Sequence, residues 1–187
     1  MPPVEKHPFE PFLPEGACIL FLGSFPPQEH RWCMPFYYPN WINDFWRVLG
    51  LIHFGDKEHF CVPGEKRFDE GAIREFCTLE GLAFYDTACE VRRLKDNASD
   101  AFLEVVTPTD VPGLLTQIPG CHDIVVTGEK AAQTLSESLG CTPPPVGGSI
   151  DLTITGRPLH LWRMPSTSRA YPLPLEKKAE AYRQLFV

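Results

Sequence analysis

The sequence predicts a single α/β domain spanning residues 1–187 and built on a short, mostly parallel sheet. The continuous apolar run ACILFLG at 17–23 is typical of a strand buried on both faces, and LAFYD at 82–86 and DIVVTG at 123–128 are predicted as a second and a third strand. Segments whose apolar residues recur at helical spacing lie between these runs. Because strands that alternate with helices form parallel sheets covered by helices, we expect an α/β layer fold.

The first half of the chain contains two predicted strands and two predicted helices. In order, they are a strand at 17–23, a helix at 43–52, a helix at 69–80 and a strand at 82–86. Gly23, followed by Pro26, ends the first strand abruptly. Asn43 stands where the first helix needs an N-cap, and Gly81 stands at the C-cap of the second.

The second half is predicted to continue the alternation after a polar loop, RRLKDNASD. In order, the elements are a short helix at 111–118, a strand at 123–128, a helix at 129–139, two alternating runs at 151–155 and 158–164, and a C-terminal helix. Thr109 is a candidate cap for the short helix, and Gly140 ends the longer one. The two alternating runs flank Gly156-Arg157 and predict a hairpin.

Composition limits the classes of function. No run is apolar enough to cross a bilayer and the N-terminus has no secretory pattern, so we expect a cytoplasmic protein. The seven cysteines are scattered singly, without metal-site spacing. The net charge of −7 argues against unspecific polyanion binding, yet residues 157–183 carry six Lys or Arg against two Glu. This local +4, against −11 elsewhere, could steer an anionic ligand or simply reflect a solvated helix.

Two loops stand out as candidates for chemistry. In such sheets, ligands bind outside the carboxyl ends of the strands, here after Leu22, Tyr85, Val126 and Arg163. The first loop, GSFPPQEHRWCMPFYYPNWINDFW, combines a glycine, aromatic rings and two amides, which suits a stacked nucleobase; loop packing and a simple N-cap are the plain alternative. The second, MPSTSRAY, offers hydroxyls and amides for phosphate oxygens, or only a helix cap.

Taken together, these segments resemble the uracil-DNA glycosylase superfamily. The motifs are ILFLGSFPP, FYYPNWINDFWRVLG, FYDTACEVRR with NASD, IVVTG, and MPSTSRAYPLPLEKKAEAYRQL, in the superfamily's order and spacing from about Ile19 to Leu185. The likeness is greatest to the branch that contains hypoxanthine-DNA glycosylase and the mismatch-specific uracil and thymine glycosylases. It implies a three-layer α/β/α sandwich and hydrolysis of the N-glycosidic bond of a flipped-out deaminated base, hypoxanthine or uracil, in base-excision repair.

The resemblance also implies the base site. Its residues would be Gly23, Ser24, Phe25, Tyr37, Tyr38, Asn40 and Met164. Tyr38 matches the aromatic that stacks on the base, with Tyr37 as the alternative. Phe25 stands where many relatives carry the Asp or Asn that handles water, and Met164 where several carry a hydrogen-bonding His or Asn. In the hypoxanthine-type branch an amide serves instead, which here is Asn43, preferred over Asn40, as the catalytic residue.

Contacts with DNA are implied for the second loop. The residues that would grip phosphates or enter the vacated stack are Pro165, Ser166, Thr167, Ser168, Arg169, Ala170 and Tyr171. A further set that matches the family is expected to order loops through hydrogen bonds: Asp86, Arg92, Asn97, Ser99 and Asp100. The implied partner is double-stranded DNA with a damaged or mismatched base. The enzyme is expected to act as a monomer, without metal or cofactor.

Two other functions remain open from the sequence. A catalytically silent binder of DNA lesions or of a free nucleobase is the main alternative, since Phe25 and Met164 remove polar groups that relatives use. An acidic hydrolase of small metabolites would fit the net charge but leaves the second loop unexplained. No lysine is placed for Schiff-base chemistry, so strand cleavage after base loss is not expected.

Overall fold

A five-stranded, mostly parallel sheet forms the centre of the molecule in the computed structural model, which describes residues 1–97 and 99–187. Over that part of the chain the strands are β1 (Glu5–Lys6), β2 (Ile19–Gly23), β3 (Leu82–Asp86), β4 (Ala88–Arg93), β5 (Leu103–Pro108), β6 (Asp123–Thr127), β7 (Ser149–Ile154) and β8 (Arg157–Met164). The sheet order is β3-β2-β6-β8-β7, with β7 as an antiparallel edge. The predicted α/β class with a mostly parallel sheet is confirmed.

Helices cover both faces of this sheet. They are α1 (Phe45–Phe54), α2 (Glu70–Glu80), α3 (Val111–Thr116), α4 (Glu129–Leu139) and α5 (Leu175–Arg183). Alternate residues of β2 enter opposite cores: Phe21 packs with α1, α2 and α5, whereas Leu22 packs with α3 and α4. The result is the expected three-layer α/β/α sandwich. Three short 3₁₀ helices complete the described elements: Glu29–Arg31, Asp100–Phe102 and Gln184–Phe186.

Local sequence signals explain most helix boundaries. The Asp69 carboxylate accepts from the backbone N–H of Ala72 and so caps α2, which ends at Gly81 with φ of 70°. Gly140 ends α4 in the same left-handed conformation. The cap of α3 is Asp110, which accepts from Gly113 N–H, and not Thr109 as predicted. The hairpin turn is also one residue earlier than predicted, at Thr155-Gly156, because β8 already begins at Arg157.

A second, three-stranded sheet was not predicted. Strands β1, β4 and β5 pair antiparallel in the order β1-β4-β5, next to the carboxyl ends of the central strands. Its small core consists of Phe25, Ala88, Val91 and Leu103. Part of the stretch expected to be a polar loop therefore belongs to β4. Among the described residues, no helix combines the length and apolarity needed to cross a membrane.

Candidate active site

Four adjacent strands end at the same edge of the sheet and bring the two predicted loops together. Gly23 is in register with Asp86, and Thr127 with Met164. The loop after β2 meets the loop after β8 through a β-bridge between Asn43 and Ser168. The backbone N–H of Asp44 also donates to the carbonyl oxygen of Thr167, at 2.9 Å. The expectation that both loops open on one side of the sheet is confirmed.

The Asn43 side chain is fixed at the start of α1. Its Oδ1 accepts from the backbone N–H of Phe45 at 2.9 Å and from the Thr167 hydroxyl at 2.8 Å. Asp44 occupies the N-cap position without a side-chain hydrogen bond, so Asn43, one residue earlier, satisfies the first turn in its place. A carboxamide oxygen has two lone pairs, and both are used. The group that Asn43 can offer to a ligand is therefore the Nδ2 donor.

Asn40 has a different part in the same loop. Its Oδ1 accepts from the backbone N–H of Ile42 at 3.2 Å, and its carbonyl oxygen accepts from the backbone N–H of Asn43 at 2.8 Å. These bonds form the turn that delivers Asn43 to the helix start. The structure thus separates the two amides that the sequence left as alternatives.

Tyr38 has the geometry of a stacking platform. Its ring lies parallel to Phe45, with 3.9 Å between the centroids and 7° between the planes, and its hydroxyl lies 2.7 Å from the Thr127 hydroxyl. The backbone adopts a φ of 53°, which a tyrosine rarely does, so surrounding contacts hold it there. Burial raises the pKa of the Tyr38 phenol well above its ordinary value. Because Phe45 covers one face, a ligand can stack only on the other.

Asp86 is a carboxylate at the strand ends that the sequence placed only among loop-ordering residues. A Cβ added to Gly23 would lie 2.8 Å from its Oδ1, so Gly23 is the residue that lets this oxygen approach the loop. Its Oδ2 lies 2.7 Å from Nε2 of His7. No sequence motif predicts this pair, because His7 precedes Asp86 by 79 residues and lies outside the motifs.

A second carboxylate lies beside the first. The Ser24 hydroxyl donates to Oδ1 of Asp100 at 2.8 Å. Burial, opposed by this hydrogen bond and reinforced by the nearby charge of Asp86, raises the pKa of Asp100 above its ordinary value. A carboxyl group with a raised pKa at a candidate site is a candidate functional group in its own right. The other members of the set have structural contacts: Asn97 accepts from Ser99 N–H, and Arg92 pairs with Glu104.

Three residues expected to touch the base lie in the interior. The Tyr37 ring is buried in the main core, and its hydroxyl donates to the carbonyl oxygen of Glu10 at 2.8 Å. Phe25 packs into the core of the second sheet, and Met164 is 0% exposed. All three are apolar or aromatic and find a more favourable environment away from water. Their side chains therefore have almost no solvent-exposed surface in the structure.

The second loop is partly structural and partly exposed. Pro165 is buried, and Thr167 is 2% exposed with its hydroxyl committed to Asn43, so neither faces a phosphate as predicted. The side chains that remain accessible are Ser166, Ser168, Arg169, Ala170 and Tyr171. Ser166 approaches the start of α4, where its Cβ would be 3.5 Å from a Cβ on Gly128. The accessible surface of this loop is thus Ser166 together with the tip of the loop, from Ser168 to Tyr171.

A buried charge cluster anchors that tip to α1. The Asp44 carboxylate lies 3.1 Å from Nε of Arg169, 3.5 Å from Nζ of Lys178 and 3.7 Å from a guanidinium nitrogen of Arg47. Lys178 is 1% exposed and also donates to the carbonyl oxygen of Ser168 at 3.0 Å. The Arg169 side chain is 48% exposed. One carboxylate facing three cations leaves the cluster with an excess of positive charge, and Arg169 is its exposed member.

Two surface cavities lie next to these loops. The first, of about 410 Å³, is lined by Asp44, Arg169 and other residues near the loop tip. The second, of about 560 Å³, lies between the N-terminal segment and the first loop, with Phe9 and Trp32 in its wall. Neither is lined by Gly23, so neither is the space that a base beside Gly23 would occupy. Across residues 1–97 and 99–187, no group of three or more His, Cys, Asp or Glu side chains could hold a metal ion.

Comparisons with known proteins extend this description at the level of the fold. Neither the known protein families nor the curated proteins gave a match to the chain. Among solved structures, the chain is similar to a protein from Methanosarcina acetivorans, solved by solution NMR and provisionally described as a uracil DNA glycosylase. The TM-score is 0.61 at 22% sequence identity, over 98% of this chain and 99% of the other. The two proteins therefore share their fold over almost their whole length.

Proposed function

We propose that the protein is a DNA glycosylase that hydrolyses the N-glycosidic bond of a deaminated base flipped out of duplex DNA. The observation that carries the proposal is the clamped Asn43 amide, held by Phe45 N–H and the Thr167 hydroxyl at the junction of the two loops. Phe45 also supports the Tyr38 ring, so one residue fixes both the amide and the stacking surface. The fold shared with the Methanosarcina protein and the sequence motifs support the same reading.

The base would be recognised by stacking and by an acceptor. An extruded base stacked on the face of Tyr38 that Phe45 does not cover would lie beside Gly23, where Oδ1 of Asp86 is 2.8 Å from the position of an added Cβ. A carboxylate oxygen accepts hydrogen bonds, so it suits a ring N–H. Hypoxanthine and uracil carry such an N–H, whereas adenine and cytosine carry an unprotonated ring nitrogen at the equivalent place. Asp86 thus favours hypoxanthine and uracil over their parent bases adenine and cytosine, while guanine and thymine, which also carry a ring N–H, must be excluded by other contacts.

The chemistry follows from what Asn43 can and cannot do. Its Nδ2 can hold a water oxygen by donating to it, but a neutral amide cannot remove the proton of that water. Water therefore adds late, when the bond from C1′ to the base nitrogen has largely broken and the sugar carries positive charge. The electron pair of that bond leaves on the base nitrogen, and the proton that the water loses on bonding to C1′ neutralises the departing base anion. The carboxylates of Asp86 and Asp100 are close enough to interact with each other, and both would stabilise the positive charge of the sugar electrostatically. Bases that depart easily would be the preferred substrates.

The tip of the second loop would hold the DNA. The hydroxyls of Ser166 and Ser168 each accept a backbone N–H within the loop and keep their own proton to donate to a phosphate. Arg169, Ala170 and Tyr171 are exposed where a wedge would enter the vacated stack. Arg169 is paired with Asp44, so its guanidinium must leave this carboxylate to reach the DNA. The surrounding cations provide a local attraction that the net charge of −7 would otherwise oppose.

A single-turnover incision assay at low salt tests the proposal. Labelled duplexes with hypoxanthine, uracil, xanthine or a G·T mismatch are incubated with excess protein and then treated with alkali. Alkali-labile sites on one of these duplexes are expected, with none on the undamaged control and no strand break before alkali. If none of the duplexes is cut, the catalytic proposal fails. Tight binding to one uncleaved duplex would instead favour the silent binder suggested by Phe25 and Met164.

A further inference from the structure

The N-terminal segment brings a histidine onto the Asp86 carboxylate. Strand β1 adds to β4, and the next residue, His7, donates its backbone N–H to the carbonyl oxygen of Cys89 at 2.8 Å. The imidazole then lies with Nε2 2.7 Å from Oδ2 of Asp86. The His7 side chain is 2% exposed and that of Asp86 9% exposed, so this is a nearly dry contact.

The surroundings of His7 determine where its proton lies. The backbone N–H of Phe9 is 3.0 Å from Nδ1 and can only donate, which leaves the proton of a neutral ring on Nε2, facing Asp86. The carbonyl oxygen of Phe9 is 3.1 Å from the same Nδ1, so a second proton would also find an acceptor. In both ring states His7 donates to Asp86.

Aromatic rings hold the imidazole in place. The centroid distances to its neighbours are 4.4 Å for Tyr85, 5.2 Å for Phe25, 5.8 Å for Phe9 and 6.0 Å for Tyr37. The buried rings of Phe25 and Tyr37 therefore act on the site indirectly, because they confine the imidazole of His7. The rings leave His7 little freedom to rotate away from Asp86.

With Oδ2 tied to His7, the orientation of Oδ1 is fixed. A Cβ atom added to Gly23 would lie 2.8 Å from this Oδ1, 3.5 Å from the Tyr38 hydroxyl and 3.6 Å from the Thr127 hydroxyl. These three oxygens therefore surround one small space at the strand ends. A carboxylate that rotates freely could turn to accept a hydrogen bond from the exocyclic amine of an undamaged base, whereas a carboxylate held by His7 cannot turn in this way.

We propose that His7 is a positioning residue that sets base specificity through Asp86. By holding Oδ2, it presents Oδ1 as a rigid acceptor for the ring N–H of a deaminated base. An adenine or cytosine at the same place would direct a ring lone pair at the carboxylate and be rejected. The inference rests on the proposed function, because it assigns the base recognition of that same site.

Substitutions of His7 separate specificity from stability. His7→Phe keeps an aromatic ring but removes the donor, and His7→Gln restores a donor. We expect His7→Phe to slow excision of the preferred deaminated base by about 10- to 100-fold. The ratio of the excision rates of the deaminated base and its parent base should fall by a similar factor. His7→Gln should recover part of both, and His7→Phe with Asp86→Asn should cost less than the product of the single effects.

A matched control is His160→Phe, which breaks another histidine–carboxylate pair, with Asp151, away from the carboxyl end of β8. It should leave rate and preference unchanged. Thermal unfolding of each variant identifies any that lose the fold, and His7→Leu, which also lacks the donor, carries the test if His7→Phe unfolds. Unchanged base preference in a folded variant that lacks the donor would overturn the inference.

Binding of free bases tests the same inference without catalysis. Hypoxanthine and adenine are titrated into the wild type and the His7 variants, and the imidazole ¹⁵N signals are followed by NMR. The wild type should bind hypoxanthine more tightly than adenine, with the His7 signals shifting, and the His7→Phe variant should lose that preference. If the wild type excises no base yet shows this pattern, the proposed function fails while the inference stands. Equal affinity of the wild type for both bases overturns the inference.

Discussion

The substitution Asn43→Ala removes the residue on which the proposed chemistry depends, and the structure gives the size of its effects. Two donors lose their acceptor: the backbone N–H of Phe45 and the buried hydroxyl of Thr167. At about 1 kcal/mol each, the free energy of unfolding should fall by about 2 kcal/mol. For a chain of 187 residues this lowers the unfolding midpoint by about 4–8 °C, so the variant should remain folded at 25 °C.

The catalytic loss should exceed what that destabilisation explains. Removing one preorganised donor from a reacting group typically costs about 100-fold in rate, so single-turnover excision by Asn43→Ala should fall by at least that factor. The affinity for lesion-containing DNA should change little, because the accessible loop tip is untouched. The assay measures excision at enzyme excess, with binding and thermal unfolding measured on the same preparations.

Two variants separate the roles of the Asn43 amide. Asn43→Asp keeps both acceptor contacts, so its unfolding midpoint should stay within about 2 °C of wild type, yet it lacks the Nδ2 donor and should be slow. Thr167→Val removes one anchor but leaves Nδ2, and should slow excision by no more than about tenfold. Faster excision by Asn43→Asp than by the wild type would show that this position needs a general base. An Asn43→Ala variant as active as wild type would refute the reasoning altogether.

Three further predictions concern other contacts. Tyr38→Ala should weaken binding of the extruded base by about 1–3 kcal/mol, whereas Tyr38→Phe, which keeps the ring, should not. The affinity of each variant for its product complex measures the difference. Asp100 has a raised pKa, so wild-type stability should fall as pH rises from the ordinary Asp range through that pKa; Asp100→Asn should lack this slope in pH-dependent unfolding. Lys178→Met breaks the buried contact with Asp44 and should cost about 3 kcal/mol, or roughly 6–12 °C in a thermal melt.

The central sheet could be predicted because its strands carry their own signal. ILFLG is apolar throughout and DIVVT is apolar at its centre, as strands covered on both faces must be, and the glycines at 81 and 140 end helices by local chemistry. The position of the site followed from the same reasoning, since parallel strands end at a common edge. These inferences needed no knowledge of contacts distant in sequence.

The second sheet could not be predicted in the same way, and other errors followed from it. Strand β4 alternates weakly, β5 follows a polar stretch, and β1 has two residues, so none is recognisable without its partners. Phe25 lies in a Gly- and Pro-rich loop that suggests a ligand surface, but its ring covers this sheet. The contacts that define the site join residues far apart: His7 with Asp86 over 79 positions and Asn43 with Thr167 over 124.

Detection of the released base tests the central claim most directly. A duplex with one hypoxanthine or uracil is incubated with excess wild-type protein or the Asn43→Ala variant, without alkali, and the small-molecule fraction is analysed by mass spectrometry. We expect close to one free base per duplex for the wild type, intact sugar–phosphate strands, and at least a 100-fold slower release for Asn43→Ala. No free base from any deaminated duplex, or equal release by both proteins, would contradict it.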